Sequence, residues 1–195
     1  SENMVPKDWI IISDKIKEII GKGYKKIVIL HGTDTIIYTA TVIELLFGHL
    51  KVVSIIVTGA INNVYSENSD VKISIESSLK SIKKLNNGVY INLRSPKTYD
   101  KMILNQATHV KPLVHDCKGV QQIKNSIGIY ENGKWDIKNN YSQVYSLPYK
   151  NNLRTHNKIK YLNIYPNLKI DNAEKYELII LNAYHSITAP TISKE

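Results

Sequence analysis

The chain is 195 residues long, 43% hydrophobic and 22% charged, enough for one ordinary domain or for one domain plus part of a second. That apolar content excludes a disordered chain, no apolar run approaches the roughly 20 residues a membrane helix needs, and a lone cysteine, Cys117, excludes an intrachain disulfide. The net charge of +9 invites a nucleic-acid reading, but only Arg94 and Arg154 are arginine and the lysines are scattered, so nucleic acid is not the expected partner.

In chain order, the spacing of Trp9, Ile12, Ile16, Ile19 and Ile20 predicts a helix from Asp8, capped by Asp8 and ended by Gly21 or Gly23. Residues 26–30 form a β-branched run that reads as a buried strand, and it leads through His31-Gly32-Thr33-Asp34-Thr35 into a helix ending near Gly48. A second buried strand is predicted over 52–58, followed by a polar loop to Ser69. Ser69-Asp70 then opens a third helix, with Ile73, Ile75, Leu79, Ile82 and Leu85 inward and lysines outward. A third strand follows over 89–93. Apolar strands alternating with helices predict an α/β fold whose parallel sheet is covered on both faces. Its ligand crevice would lie at the carboxyl ends of the strands. Asn132-Gly133 predicts a hairpin between strands at 126–130 and 134–137. Residues 138–157, with five Asn and one Pro, read as a linker, and strands at 159–165 and 177–181 with a helical segment at 171–176 begin a second α/β domain.

The segment 31–35 combines a strand end, a turn-permitting glycine and a helix start, where backbone amides favour anionic groups. A hydroxyl and a carboxylate side by side suit binding and proton handling of a small amino-acid-like substrate. An ordinary capped helix start has the same spacing. His109, His115, Asp116 and Cys117 have no metal-ligand spacing, and none is expected to bind metal. His31 reads as a hydrogen-bonded strand-end residue, and His185-Ser186 reads as structural.

The stretch 27–36, Ile-Val-Ile-Leu-His-Gly-Thr-Asp-Thr-Ile, continued by Tyr38-Thr39-Ala40-Thr41, resembles the second signature of the bacterial-type L-asparaginase family. Ser1-Glu2-Asn3-Met4 resembles that family's substrate-binding loop, and residues 57–60 resemble the strand end after the signature. Ile164-Tyr165-Pro166 and residues 178–190 resemble the start of its C-terminal domain, most closely in the cytosolic type I branch and in the related asparaginase-like subunit of the glutamyl-tRNA amidotransferase. The resemblance implies a three-layer N-terminal domain at 1–137 lacking its first strand, a linker at 138–157 and the start of a C-terminal α/β domain at 158–195. It also implies hydrolysis of L-asparagine to L-aspartate and ammonia through a threonine acyl-enzyme, without cofactor or metal. Thr33 matches the second catalytic threonine, which works with a lysine in proton transfer. Asp34 matches the carboxylate that holds the substrate's α-amino group, Ser1 and Glu2 match residues gripping its α-carboxylate and α-amino ends, and Gly59 and Ala60 line the amide pocket. A cytoplasmic homodimer or homotetramer is the assembly expected of such a protein.

The departures from the family pattern are specific. The nucleophilic threonine of the family lies upstream of the Ser1-Met4 loop, so the chain reads as partial. The catalytic lysine position falls on Asn105, with Lys101 and Lys97 nearby, and asparagine neither takes nor gives a proton as lysine does. Asn62-Asn63 and residues 69–74 differ from the family's usual residues. Three readings follow: an asparaginase-type amidohydrolase, a catalytically degenerate amino-acid-binding protein, or the asparaginase-like subunit of a tRNA-dependent amidotransferase.

Overall fold

The computed structural model describes residues 3–96, 98, 100–112, 120–142, 156, 158–165 and 168–182. Helix α1 (Pro6–Gly21) starts two residues before the expected Asp8. Pro6 supplies a preset helical φ, and Asp8, now in the first turn, accepts the Val5 N–H at 2.8 Å while its own N–H bonds the Val5 carbonyl. Asp8 therefore caps the helix from inside it.

Strand β1 (Lys26–Leu30), helix α2 (Ile36–Phe47), strand β2 (Ser54–Thr58), helix α3 (Val71–Ile82) and strand β3 (Gly88–Arg94) make two successive crossover units. The three strands pair in parallel, with Ile29 beside Val57 and Val57 beside Ile91. Beyond β3 the sheet changes direction. Strand β4 (Met102–Gln106) runs antiparallel to β3, strands β5 (Val110–Pro112) and β6 (Val120–Gln122) form a separate antiparallel ribbon, and β7 (Gly128–Glu131) pairs with β4. Strand β8 (Lys134–Ile137) completes a six-stranded sheet of order β1-β2-β3-β4-β7-β8. The parallel arrangement expected of the α/β fold thus holds for β1 to β3, and antiparallel strands extend it. Asn132 and Gly133 both take positive φ, 48° and 77°, which makes the β7–β8 connection the two-residue hairpin their sequence predicts.

β2 is buried along its whole length, which is why it reads as an unbroken apolar run. One face of the sheet (Ile55, Val57, Val89, Ile91) packs on α1 and α2 through Ile16, Ile36, Ile43 and Phe47. The other face (Ile56, Tyr90, Leu104) meets α3 through Ile82 and the following Leu85.

The inward stripe of α3 differs from expectation. Leu79 is exposed, and the helix buries Ser74, Ser77, Ser78 and Ser81. Their partner is polar too: the Asn92 amide donates to the Ser77 and Ser78 hydroxyls at 2.8 and 2.9 Å, and the Ser78 hydroxyl donates to the Ser74 carbonyl at 2.7 Å. Hydrophobic periodicity placed Ile82 and Leu85 inward, where they are buried, and missed the serine part of the face, which a polar strand residue selects.

The chain divides into two compact units, Ser1–Leu153 and Arg154–Glu195. Within the first unit, Tyr141 packs on Tyr90 with ring centroids 5.2 Å apart, so chain beyond β8 still belongs to that core. In the second, β9 (Ile159–Asn163) and β10 (Leu178–Asn182) pair in parallel, and the expected helical segment between them is only a 3-10 turn, Ala173–Lys175, preceded by Asn172 at φ 55°. Among the described residues no helix is long and apolar enough to cross a membrane.

Candidate functional site

Thr33 and Asp34 lie in the turn between β1 and α2, with Thr35 as the residue preceding the helix. The turn is tied to the end of β2: the His31 N–H donates to the Thr58 carbonyl at 2.8 Å. Gly59 is required there, because a Cβ at that position would run into the His31 carbonyl oxygen. The expected substrate-lining backbone of Gly59 and Ala60 is thereby held against the turn that carries Thr33 and Asp34.

A second chain of contacts fixes His31. The Trp9 indole N–H donates to the Thr39 hydroxyl at 2.9 Å, and that hydroxyl lies 3.0 Å from His31 Nε2. His31 Nδ1 lies 2.7 Å from the Gly32 carbonyl. The Gly32 carbonyl can only accept, so Nδ1 is the nitrogen that donates, and in the neutral ring Nε2 is then the acceptor facing the Thr39 hydroxyl. Both nitrogens are spent on structure, in line with the strand-end role the sequence suggests. Met4 closes the cluster, its Sδ 3.0 Å from Nε2, and so brings the residues just after Ser1-Glu2 onto the same turn. Ser1 and Glu2 themselves lie outside the described residues.

The loop after β2 has its own clasp. Both carboxylate oxygens of the buried Asp70 are used, accepting the Ile61 N–H at 3.0 Å and the Asn62 N–H at 2.8 Å. Arg94 Nε lies 3.7 Å from Asp70 Oδ2, with both side chains buried, and the Ser74 hydroxyl donates to the Gly59 carbonyl at 3.0 Å. Sequence reasoning treated Ser69-Asp70 as a helix start. The role of its carboxylate as an anchor for residues 59–62 has no signal in local spacing, because its partners lie eight or nine residues upstream.

Asn105, where the family's lysine is expected, sits within β4 rather than in a loop. It pairs with Ile91, is 1% exposed, and its side-chain oxygen accepts the Gln122 amide N–H at 3.1 Å. Strand pairing fixes this register, so no shift brings Lys101 to the same place. Lys101 precedes β4 and is ion-paired with Glu131 at 2.8 Å, an interaction that raises the ammonium above its ordinary value and makes it a poorer proton donor. Lys97 lies outside the described residues, as do His115, Asp116, Cys117, His185 and Ser186. Among the described residues no three His, Cys, Asp or Glu side chains are grouped to hold a metal ion.

A separate polar cluster surrounds Glu44, fully buried in α2. Its carboxylate accepts the Tyr141 hydroxyl at 2.7 Å, the Gln106 amide at 2.6 Å and the Thr108 N–H. Burial raises this carboxyl above its ordinary value, and the three hydrogen bonds pull only partly the other way. It lies near the far end of α2 from the Thr33 turn, beside Gly48, and joins α2 to β4 and to the chain after β8.

Residues 1–124 match the family described as "Asparaginase, N-terminal". A glutamyl-tRNA(Gln) amidotransferase subunit from Methanococcus maripaludis is 35% identical over 113 residues, which is 58% of this chain and 27% of that protein. The corresponding subunit from Sulfolobus acidocaldarius is 39% identical over 79 residues, covering 40% of this chain and 16% of the relative. Among solved structures, the thermostable L-asparaginase of Thermococcus kodakarensis superposes with a TM-score of 0.76 at 20% identity, over 97% of this chain and 56% of that one. L-asparaginase I of Vibrio cholerae does so with 0.76 at 22% identity, over 98% and 58%. The chain thus spans about a quarter of the first relative and somewhat over half of the matched structures. The family match runs from the Met4 loop through the Thr33 turn, the Gly59 loop and Asn105, and it identifies the chain as a member of the asparaginase family.

Proposed function

We propose that the chain is part of an asparaginase-type amidohydrolase acting on the side-chain amide of a small amino acid, with L-asparagine as substrate. The supporting observation is the joined pair of loops: the turn of Thr33 and Asp34 hydrogen-bonded through His31 to Thr58, against a Gly59 where a Cβ would have to push the His31 carbonyl aside. In this reading Asp34 receives the substrate's ammonium, the backbone at Gly59 and Ala60 faces its amide, and the Thr33 hydroxyl passes a proton during attack on the amide carbonyl. Ammonia release from L-asparagine by the full-length protein tests it. Thr33→Ala is expected to lower kcat by about 100-fold or more, the usual scale of general acid–base catalysis, and an unchanged rate would remove Thr33 from the mechanism.

Asn105 favours a second reading, in which the same pocket binds aspartate or asparagine without turnover. A carboxamide buried in β4 transfers no proton. Calorimetry would then give saturable heats with no ammonia, and Asn105→Lys is expected to restore hydrolysis. The sequence relatives bear on context: a tRNA-dependent amidotransferase subunit would require tRNA binding that falls steeply with salt.

A further inference from the structure

The sequence contains two methionines, Met4 and Met102. Met102 lies in β4 and is 0% exposed, whereas Met4, just ahead of α1, is half-buried. The Met4 sulfur sits 3.0 Å from His31 Nε2 and 3.7 Å from the Thr39 hydroxyl oxygen. Protons decide what this seat tolerates. The Nδ1 proton is directed at the Gly32 carbonyl and the Trp9 indole proton at the Thr39 oxygen, so the Thr39 hydroxyl proton faces both Nε2 and the sulfur. A thioether sulfur accepts only weakly and is soft enough to lie against a ring nitrogen that holds a lone pair. An oxygen on that sulfur is a strong acceptor pressed against a second acceptor, with one hydroxyl proton between them. Moving the ring proton to Nε2 would leave the Gly32 carbonyl contact without its donor.

We infer that Met4 is a reversible oxidation site for hydroperoxides, and that its sulfoxide detaches Asn3 and Met4 from the turn that carries Thr33 and Asp34. The thioether lone pair attacks one peroxide oxygen, so an S–O bond forms as the O–O bond breaks. With hydrogen peroxide the other oxygen leaves as water, carrying both protons, and the sulfur loses the two electrons that the peroxide gains. Two thiols reverse the step, restoring the thioether and yielding a disulfide and water. The detachment stops at Val5, whose N–H is held by the Asp8 carboxylate at 2.8 Å, and the Trp9–Thr39 bond does not involve the sulfur. Neither Thr33 nor a substrate enters this chemistry, which goes beyond amide hydrolysis; only its effect on asparagine rests on that reading.

The test treats the 195-residue chain with hydrogen peroxide, reading sulfoxide at each methionine by peptide mass spectrometry and the His31 ring by NMR. Met4 is expected to oxidise at least about tenfold faster than Met102, because oxidation follows exposure. The His31 ring signals are expected to move as the Met4 sulfoxide forms and to return when a thiol-dependent sulfoxide reductase removes it. In Met4→Leu, which keeps the apolar volume and has no sulfur to oxidise, the same peroxide is expected to leave those signals in place. That control separates Met4 from Cys117. If the variant fails to fold, recovery that needs the reductase as well as thiol decides the same question, since thiol alone reverses the early steps of cysteine oxidation. Equal oxidation of Met102, an unmoved His31 ring once Met4 is oxidised, or the same shift in Met4→Leu would each overturn the inference. Where the untreated chain releases ammonia from asparagine, oxidation is expected to raise KM about tenfold, the pattern of lost substrate binding, and an unchanged KM would overturn that consequence. Absence of ammonia before treatment would count against the hydrolase reading alone, and an unmoved His31 ring against the oxidation site alone.

Discussion

Glu44 carries the most consequential titration in the first unit. Burial raises its carboxyl, so the folded state favours the protonated form more than the unfolded chain does. Stability from this group is complete below the ordinary carboxylate range and is lost as pH climbs through the raised value. Glu44→Gln abolishes that slope and carries a deficit of about 1–3 kcal/mol at the acid end, because an amide replaces one of the two acceptor oxygens. Thermal melts taken upward from about pH 4, the ordinary carboxyl range, should therefore show the deficit of the variant shrinking as pH rises. Tyr90 and Tyr141, packed beside it, have their hydroxyls raised by burial first and by the Glu44 charge second, so neither is expected to ionise over that range.

At the scale of elements, α3 does two jobs from one end. Asp70 holds the loop after β2 while Ser74 holds the Gly59 carbonyl. Asp70→Asn keeps one acceptor, strands a loop amide and removes the carboxylate beside Arg94. A loss of about 3–5 kcal/mol is expected, the scale for breaking a buried pair. Urea unfolding measures it, and faster exchange of the Ile61 and Asn62 amides would locate it. The sequence announces β1, β2 and the hairpin clearly, since β-branched runs and Asn-Gly act locally. It conceals β4, because Met-Ile-Leu-Asn-Gln ends in two polar residues whose burial depends on Gln122 and Glu44, distant in the chain. The serine face of α3 is hidden for the same reason. Within the site, the Thr33 turn is legible as a motif, whereas the Trp9–Thr39–His31 chain joins residues that only the fold brings together.

For the first unit as a whole, the two margins of the sheet are unlike. β8 carries Lys134 and Asp136, which blunt it against further pairing, whereas β1 has a strand neighbour on one side only among the described residues and exposes Leu30 to 64%. For residues 1–195 on their own, Leu30→Lys is expected to reduce concentration-dependent light scattering without lowering the melting temperature. The two faces are unlike as well, and temperature distinguishes them. The α1 and α2 side is held chiefly by apolar contact, which weakens on cooling, while α3 is seated partly by hydroxyls and an amide, whose bonds do not depend on the entropy of water. In the cold, α3 becomes the firmer of the two attachments, and the loop it holds at Gly59 keeps its place when the opposite face begins to loosen.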